Sequence, residues 1–247
     1  MPISYLHTLE TMGLERPALP DQLWRYMNFT KFAAMIENCG LYMSRLDRLG
    51  DAYEGWIPET PREQYRGLIQ EEFFRRDREL RKQAPKLRKR IYVNCWHAND
   101  HESYAMWKLY VTENKGVAIQ STCRRLRDAL KQTAESLSLY KVTYKDQSEE
   151  PVHGGSMIRS CLTKRPAFSH EREVRLVWWP EMDTGQLRKE AGTVDGFYVP
   201  CDLDTLIERV FVAPARHDRF YAKVKEVIKN YGVKTEIVQS TLELPPP

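Results

Sequence analysis

Hydrophobic residues along this chain recur at every second or every third to fourth position, in short segments broken by glycine, proline and charge. Residues 22–27, QLWRYM, suit a short strand. Asn28 then reads as the N-cap of a helix running through Cys39. Phe29, Phe32, Ala33 and Ile36 share one face of that helix, and Gly40 supplies a stop. Residues 41–45 make a second strand and a glycine-punctuated loop fills 47–58. A charged helical stretch over 61–83 comes next, with Pro85 expected to end it. Strands are expected at 91–96 and 116–121, a short helix at 103–110, and another helix running through Lys131. Residues 139–144 and 173–179 are strand-like, and the second is so continuously apolar that it reads as a central strand. Two more strands are expected at 193–199 and 209–213. An amphipathic helix over 216–230 turns Phe220, Val224, Val227 and Ile228 inward, Gly232 caps it, and 234–241 closes the chain as a strand before the LPPP tail.

Strands outnumber helices and do not alternate strictly with them. The expected class is therefore α+β, a single mixed, mainly antiparallel sheet with flanking helices, and not a doubly wound fold. Residues 1–20 carry three prolines and no period, so they are expected to form an N-terminal arm. With no repeat, low-complexity tract or internal linker, 21–247 is expected to be one globular domain.

Composition narrows the class further. Hydrophobic residues make up 42% and charged residues 29% of 247 positions, an ordinary globular mixture. No apolar run approaches the roughly 18 residues of a membrane helix, and the N-terminus lacks the basic start and apolar core of a signal peptide. Cys39, Cys95, Cys123, Cys161 and Cys201 are scattered and odd in number, with no CxxC pair. That pattern argues against a disulfide framework or structural zinc and for a reducing, cytoplasmic setting without a membrane partner. The formal charge of +4 is modest. Much of it lies in Arg75, Arg76, Arg78, Arg81, Lys82 and residues 86–90, among Glu71, Glu72, Asp77 and Glu79. Such a stretch serves either as a solvated helix face or as a docking strip for phosphate-bearing partners, and charge alone does not decide.

Four segments concentrate chemistry-bearing side chains. In LWRYM, Arg25 stands between Trp24 and Tyr26 on a strand, either as a bidentate holder of phosphate or carboxylate or as an edge-strand arginine in a surface ion pair. In LYMSRLDRLGDAYEG, Asp51 and Glu54 lie in a loop leaving a strand. They could chelate a metal, orient a sugar hydroxyl, or simply cap a turn. In CWHANDHESYAMWKLY, His97 and His101 with Asp100 and Glu102 suggest zinc, but Asn99-Asp100 indicates a turn where HxxxH ligation needs a helix, so no metal is expected. Ser103 is an N-cap or a functional hydroxyl, and Trp107 with Tyr110 forms either a core pair or a stacking wall for a planar ring. In FSHEREVRLVWW, Glu171, Glu173 and Arg175 share a face at the mouth of a strand, as a catalytic pair or as a Glu–Arg ladder.

Taken in order, these segments resemble a bacterial domain family of unknown function. Its motifs are an L-[WY]-[RH]-Y strand, a D-x-x-E-G loop, a C-W segment with E-S-x-x-M-W-x-x-Y, and an E-x-E-x-R-L strand. The match runs from Leu23 to about Val177 and resumes from Val210 to Thr241. Members of that family are similar at their start and near their end to ADP-ribosyltransferases. The resemblance implies Arg25 as the first-strand residue, Tyr110 or Ser103 as the middle one, and Glu173 as the late glutamate with Glu171 its partner. The start here has arginine where many relatives have histidine, and a Ser-Thr-Ser strand is absent.

The resemblance further implies an NAD-consuming transferase, with NAD as substrate and an acceptor that is a protein or a nucleic acid. A role as a bacterial defence or toxin effector is implied in the same way. Cleavage of the nicotinamide–ribose bond builds positive charge on the ribose, which a fixed carboxylate stabilises; that is the role implied for Glu173. Arg25 would grip the pyrophosphate, Tyr110 or Trp107 would stack on nicotinamide, and Tyr26, Ser103, Asp51, Glu54 and Arg175 would complete the nucleotide site. Two other classes stay open. One is a non-catalytic nucleotide- or RNA-binding module; the other is a metal-dependent nuclease using Asp100, Glu113 and Lys115 as D…ExK.

Overall fold

The computed structural model of the chain describes residues 14–19, 21–59, 70–111, 115–146, 157–179, 191–214 and 218–242. Its strands are β1 (Gln22–Asn28), β2 (Gly40–Arg45), β3 (Tyr92–Ala98), β4 (Gly116–Thr122), β5 (Leu137–Lys141), β6 (Thr143–Tyr144), β7 (Thr163–Lys164), β8 (Glu173–Trp178), β9 (Gly196–Pro200), β10 (Arg209–Val212) and β11 (Glu236–Gln239). Its helices are α1 (Phe29–Glu37), α2 (Gln70–Arg88), α3 (Tyr104–Tyr110), α4 (Cys123–Ala129), α5 (Met157–Cys161), α6 (Leu203–Leu206) and α7 (Asp218–Asn230). The class is α+β, with a mixed, mainly antiparallel sheet and flanking helices.

Backbone packing divides the chain into two compact units. The first draws on Met1–Arg16, Met43–Asn94 and Glu135–Phe197, the second on Pro17–Tyr42, Cys95–Ala134 and Tyr198–Pro247. In the second unit β1 pairs antiparallel with β3 through Trp24↔His97 and with β4 through Arg25↔Ile119. β4 continues antiparallel to β10, and β10 parallel to β11. Trp24 and Tyr26 project from one face of β1 into a core with Met106, Trp107, Val111, Ala118 and Phe211. Leu23 and Met27 are buried on the other face. Both edges of β1 are thus paired, so Arg25 is not on an edge strand, and that alternative is corrected.

In the first unit β2 pairs antiparallel with β3 through Ser44↔Val93, and β5 with β8 through Tyr140↔Arg175. β8 pairs with β3 as well as with β5, which makes it the central strand its apolar run suggested, buried along its whole length. The short strands β6 and β7 form a separate parallel pair.

Asn28 does cap α1, its side chain accepting the Lys31 N–H at 2.9 Å. Gly40 is not the stop. The left-handed backbone falls on Cys39 (φ 43), and Gly40 is needed because a Cβ there would lie 2.7 Å from the Val199 carbonyl oxygen. Pro85 does not end α2, which runs to Arg88. In the last turn a proline removes only one helical hydrogen bond, and the turn still buries Ala84. The earlier half of the expected 61–83 helix, at 61–69, lies outside the described residues, as do the start of the 216–230 helix, most of the 1–20 arm and the LPPP tail. Residues 139–144 are not one strand: β5 breaks at Val142 before β6. The elements α5, β7, α6 and a 3-10 helix over Pro166–Glu171 are too short to register as periodic patterns.

Candidate functional site

The polar residues of the first unit converge. The loop after β2 turns back through Glu54 N–H to the Asp51 carbonyl at 3.0 Å. Gly55 then takes a left-handed φ of 68, where a Cβ would lie 2.8 Å from a Leu46 methyl. This explains the glycine of D-x-x-E-G: only glycine lets the loop turn there with Glu54 driven inward. At the other end of the unit, Arg172 has a left-handed backbone (φ 41, ψ 51) between the 3-10 helix and β8. That kink brings Glu171 and Glu173 to one cation, although only Glu173 belongs to the strand.

The cation is Lys164 on β7. Its Nζ lies 2.5 Å from Glu171, 3.2 Å from Glu173 and 3.2 Å from Glu54. Arg175, 0% exposed, completes the cluster. Its Nε and Nη2 donate to the two Glu173 oxygens at 2.9 and 3.0 Å, and Nη2 also donates to Glu54 at 2.8 Å. Nη1 lies 2.8 Å from the other Glu54 oxygen and donates to the Cys161 carbonyl. Bidentate pairing on two sides is what guanidinium geometry favours in a buried ion pair. The Tyr144 hydroxyl accepts the Glu173 N–H at 2.8 Å.

Three carboxylates, Glu54, Glu171 and Glu173, thus meet the two cations Lys164 and Arg175 in one buried cluster. Burial works to lower the Lys164 pKa, but Glu173, Glu54 and Glu171 outweigh it and drive the ammonium pKa upward. Burial pushes the Tyr144 hydroxyl up to about 12 and the Cys161 thiol up to about 12. Asp51 sits beside the cluster and holds Arg165 at 3.1 Å.

The residues of the second unit divide differently. Arg25 is half-buried, its guanidinium 6.0 Å over the Trp96 ring. Desolvation lowers its pKa, with Cys95, Cys201 and Tyr198 as its polar neighbours. No ion pair neutralises it among the described residues, which removes the surface ion-pair reading. Tyr26 is buried, its hydroxyl accepting the Ser103 N–H at 2.7 Å, and its ring meets Trp107 edge-on at 5.1 Å. Burial raises the Tyr26 pKa. Ser103 caps α3 by accepting the Met106 N–H at 3.4 Å. Trp107 and Tyr110 do not form one wall: Trp107 is 3% exposed and donates to Glu102 at 3.0 Å, whereas Tyr110 is 46% exposed. Helical spacing of three leaves about 60° between side chains, enough to put one inside and one outside.

His97 is buried on β3 and His101 is exposed in the turn after it, so they do not share a helix. Among the described residues, no group of three or more His, Cys, Asp or Glu is placed to hold a metal. Asp100 is exposed, and Glu113 of the D…ExK pattern lies outside the described residues. Sequence reasoning missed Lys164 and Tyr144. A single lysine in the run SCLTKRP carries no periodic signal, and only the return of the chain onto β8 reveals what it holds.

No protein-family model matches this chain, and no curated protein matches it. Among solved structures it is similar to Thermus sp. 2.9 DarT in complex with NAD+, at 9% identity and a TM-score of 0.42 over 91% of this chain and 97% of that one. The same protein in complex with ADP-ribosylated ssDNA matches at 8% identity and a TM-score of 0.41, over 92% and 98%. Its complex with carba-NAD+ matches at 10% and 0.40, over 90% and 96%.

Proposed function

We propose that this chain is an NAD-dependent ADP-ribosyltransferase-like enzyme or NAD glycohydrolase, and that the buried acidic cluster serves its chemistry. The observation that carries the reading is the convergence of the Glu54, Glu171 and Glu173 carboxylates in one buried cluster. A carboxylate held away from water stabilises a cation forming beside it far more than an exposed one does. In the reaction the C1′–nicotinamide bond breaks and its electron pair neutralises the pyridinium nitrogen. The ribose passes through an oxocarbenium-like state, and a new C1′ bond forms to the acceptor or to water, whose proton leaves.

Glu173 anchors the charge, since Arg175 engages both of its oxygens. Glu171 meets the cluster through Lys164 at the margin and presents the carboxylate to the ribose. The resemblance implies the ribose role for Glu173; the engagement of both Glu173 oxygens by Arg175 favours Glu171 for it instead.

The test is nicotinamide release from NAD. Glu171→Gln is expected to lower it about 100-fold or more, in a variant whose melting curve shows it folded. Unchanged turnover in a folded Glu171→Gln protein overturns the reading. The full engagement of Glu173 by Arg175 favours a second reading, a non-catalytic nucleotide-binding module. Binding of NAD without any nicotinamide release by the wild-type protein would select it.

A further inference from the structure

Tyr144 reaches the acidic cluster from β6. That strand pairs in parallel with β7, placing Tyr144 beside Lys164, and the Lys145 N–H donates to the Lys164 carbonyl at 3.0 Å. Paired positions of neighbouring strands send their side chains to the same side, and both of these side chains end on the turn from Glu171 to Glu173. Lys164 reaches the two carboxylates, and the Tyr144 hydroxyl accepts the Glu173 N–H at 2.8 Å.

The donors around this turn differ in what they hold. The Lys164 ammonium engages Glu54, Glu171 and Glu173, and the Arg175 guanidinium engages Glu54, Glu173 and the Cys161 carbonyl. The Tyr144 oxygen accepts one hydrogen bond, but its own proton meets no acceptor among the described residues. The side chain is half-buried rather than sealed in the core. Burial, reinforced by Glu173 and Glu171, keeps the phenol protonated well above neutral pH, so near neutrality it donates and does not act as a base.

What that proton can serve follows from the chemistry at C1′. A donor placed on a ribose hydroxyl draws electrons from the sugar while positive charge builds on it, which opposes the reaction. The group that attacks C1′ has the opposite need. It must give a proton to a base and keep one lone pair aimed at the carbon, and a hydrogen bond donated to its other lone pair fixes that aim. Glu171 and Tyr144 supply the base and the donor at one turn.

We propose that Tyr144 is a further catalytic residue of the cluster, its hydroxyl donating a hydrogen bond to the oxygen that attacks C1′ and holding that oxygen against Glu171. The assignment rests on the NAD reading above and narrows its acceptor. As the C1′–O bond forms, the C1′–N bond breaks and its electron pair stays on nicotinamide. The attacking O–H gives its proton to Glu171, and the phenol keeps its own. A nucleophile held in this way accepts a hydrogen bond while it loses a proton, as water and hydroxyl groups do. Guanidinium and ammonium groups have no lone pair to offer, and the Lys164 ammonium, 2.5 Å from Glu171, repels them. The acceptor class is water or an alcohol hydroxyl.

Steady-state nicotinamide release by the whole chain, with a melting curve for each variant, tests the role. Tyr144→Phe is expected to lower kcat about tenfold or more, while KM for NAD moves less than about threefold, because the hydroxyl touches the nucleophile and not NAD. A purely structural role would disturb Glu173 and raise KM as well. Methanol and agmatine, added singly to the wild-type chain, test the acceptor class without any substitution. Methyl ADP-ribose is expected to form beside ADP-ribose, and an agmatine adduct is not. Three results overturn the proposal and leave the NAD reading standing: unchanged kcat in folded Tyr144→Phe, a fall in kcat matched by a rise in KM, or an agmatine adduct in place of the methyl product. Absence of nicotinamide release by the wild-type chain removes both.

Discussion

Arg172 shows how much one backbone angle decides. Its left-handed conformation separates Glu171 and Glu173, two carboxylates that share Lys164. Holding a residue with a Cβ there costs on the order of 1 kcal/mol, and a β-branched residue costs more. Arg172→Gly is therefore expected to keep or slightly raise stability. Arg172→Val is expected to lose about 1–2 kcal/mol in urea unfolding and to lower nicotinamide release by displacing Glu171. A valine variant as stable and active as the parent would show that the kink sets nothing. The E-R-E-V run displays two glutamates on alternate positions and suggests one strand face, but nothing in it announces a left-handed arginine.

Helix starts were more legible than stops. Asn28 caps α1 as its sequence position suggested, accepting the Lys31 N–H at 2.9 Å, while the Thr122 cap of α4, accepting the Arg125 N–H at 3.1 Å, emerges only from the structure. Ser103 does the same for α3 at the longer distance of 3.4 Å. Ser103→Ala is accordingly expected to cost about 1 kcal/mol or less and to leave NAD turnover unaltered. A large loss of turnover with stability intact would reassign the hydroxyl to the reaction. Stops were harder to place than starts. A cap needs one side chain bonded to its own helix, whereas α1 ends at Glu37, short of the expected Cys39 where the backbone turns left-handed, and α2 passes Pro85. Trp107 and Tyr110 make the same point, since a spacing of three does not state which ring faces the core.

Across the whole molecule, β2, β3 and β9 each contribute residues to both compact units, so neither unit is a self-contained stretch of chain. A single cooperative urea transition is expected, as for one domain. Its dependence on alkaline pH is set in part by Tyr144, half-buried, and Cys161, buried. Tyr144 rises from 10.0 to about 12 and Cys161 from 9.0 to about 12. The unfolded chain therefore releases these protons first. The stability they contribute is complete below about pH 9 and is lost as pH climbs towards 12. The urea midpoint should fall between about pH 8 and about pH 11; a flat midpoint would contradict the burial of these side chains. The α+β class, the order of the larger elements and the central place of β8 were readable in the sequence, which also singled out Glu54, Glu171, Glu173 and Arg175, four of the residues that meet in the buried cluster. Hydrophobic period and local capping act over a few residues, and a sequence displays them directly. Tertiary structure alone decided that Lys164 ties three glutamates together, that Arg175 braces two of them, and that Tyr53 and Trp56 stay outside. Those facts depend on segments more than a hundred residues apart folding onto one another, and burial then changes the strength of every charge they bring together.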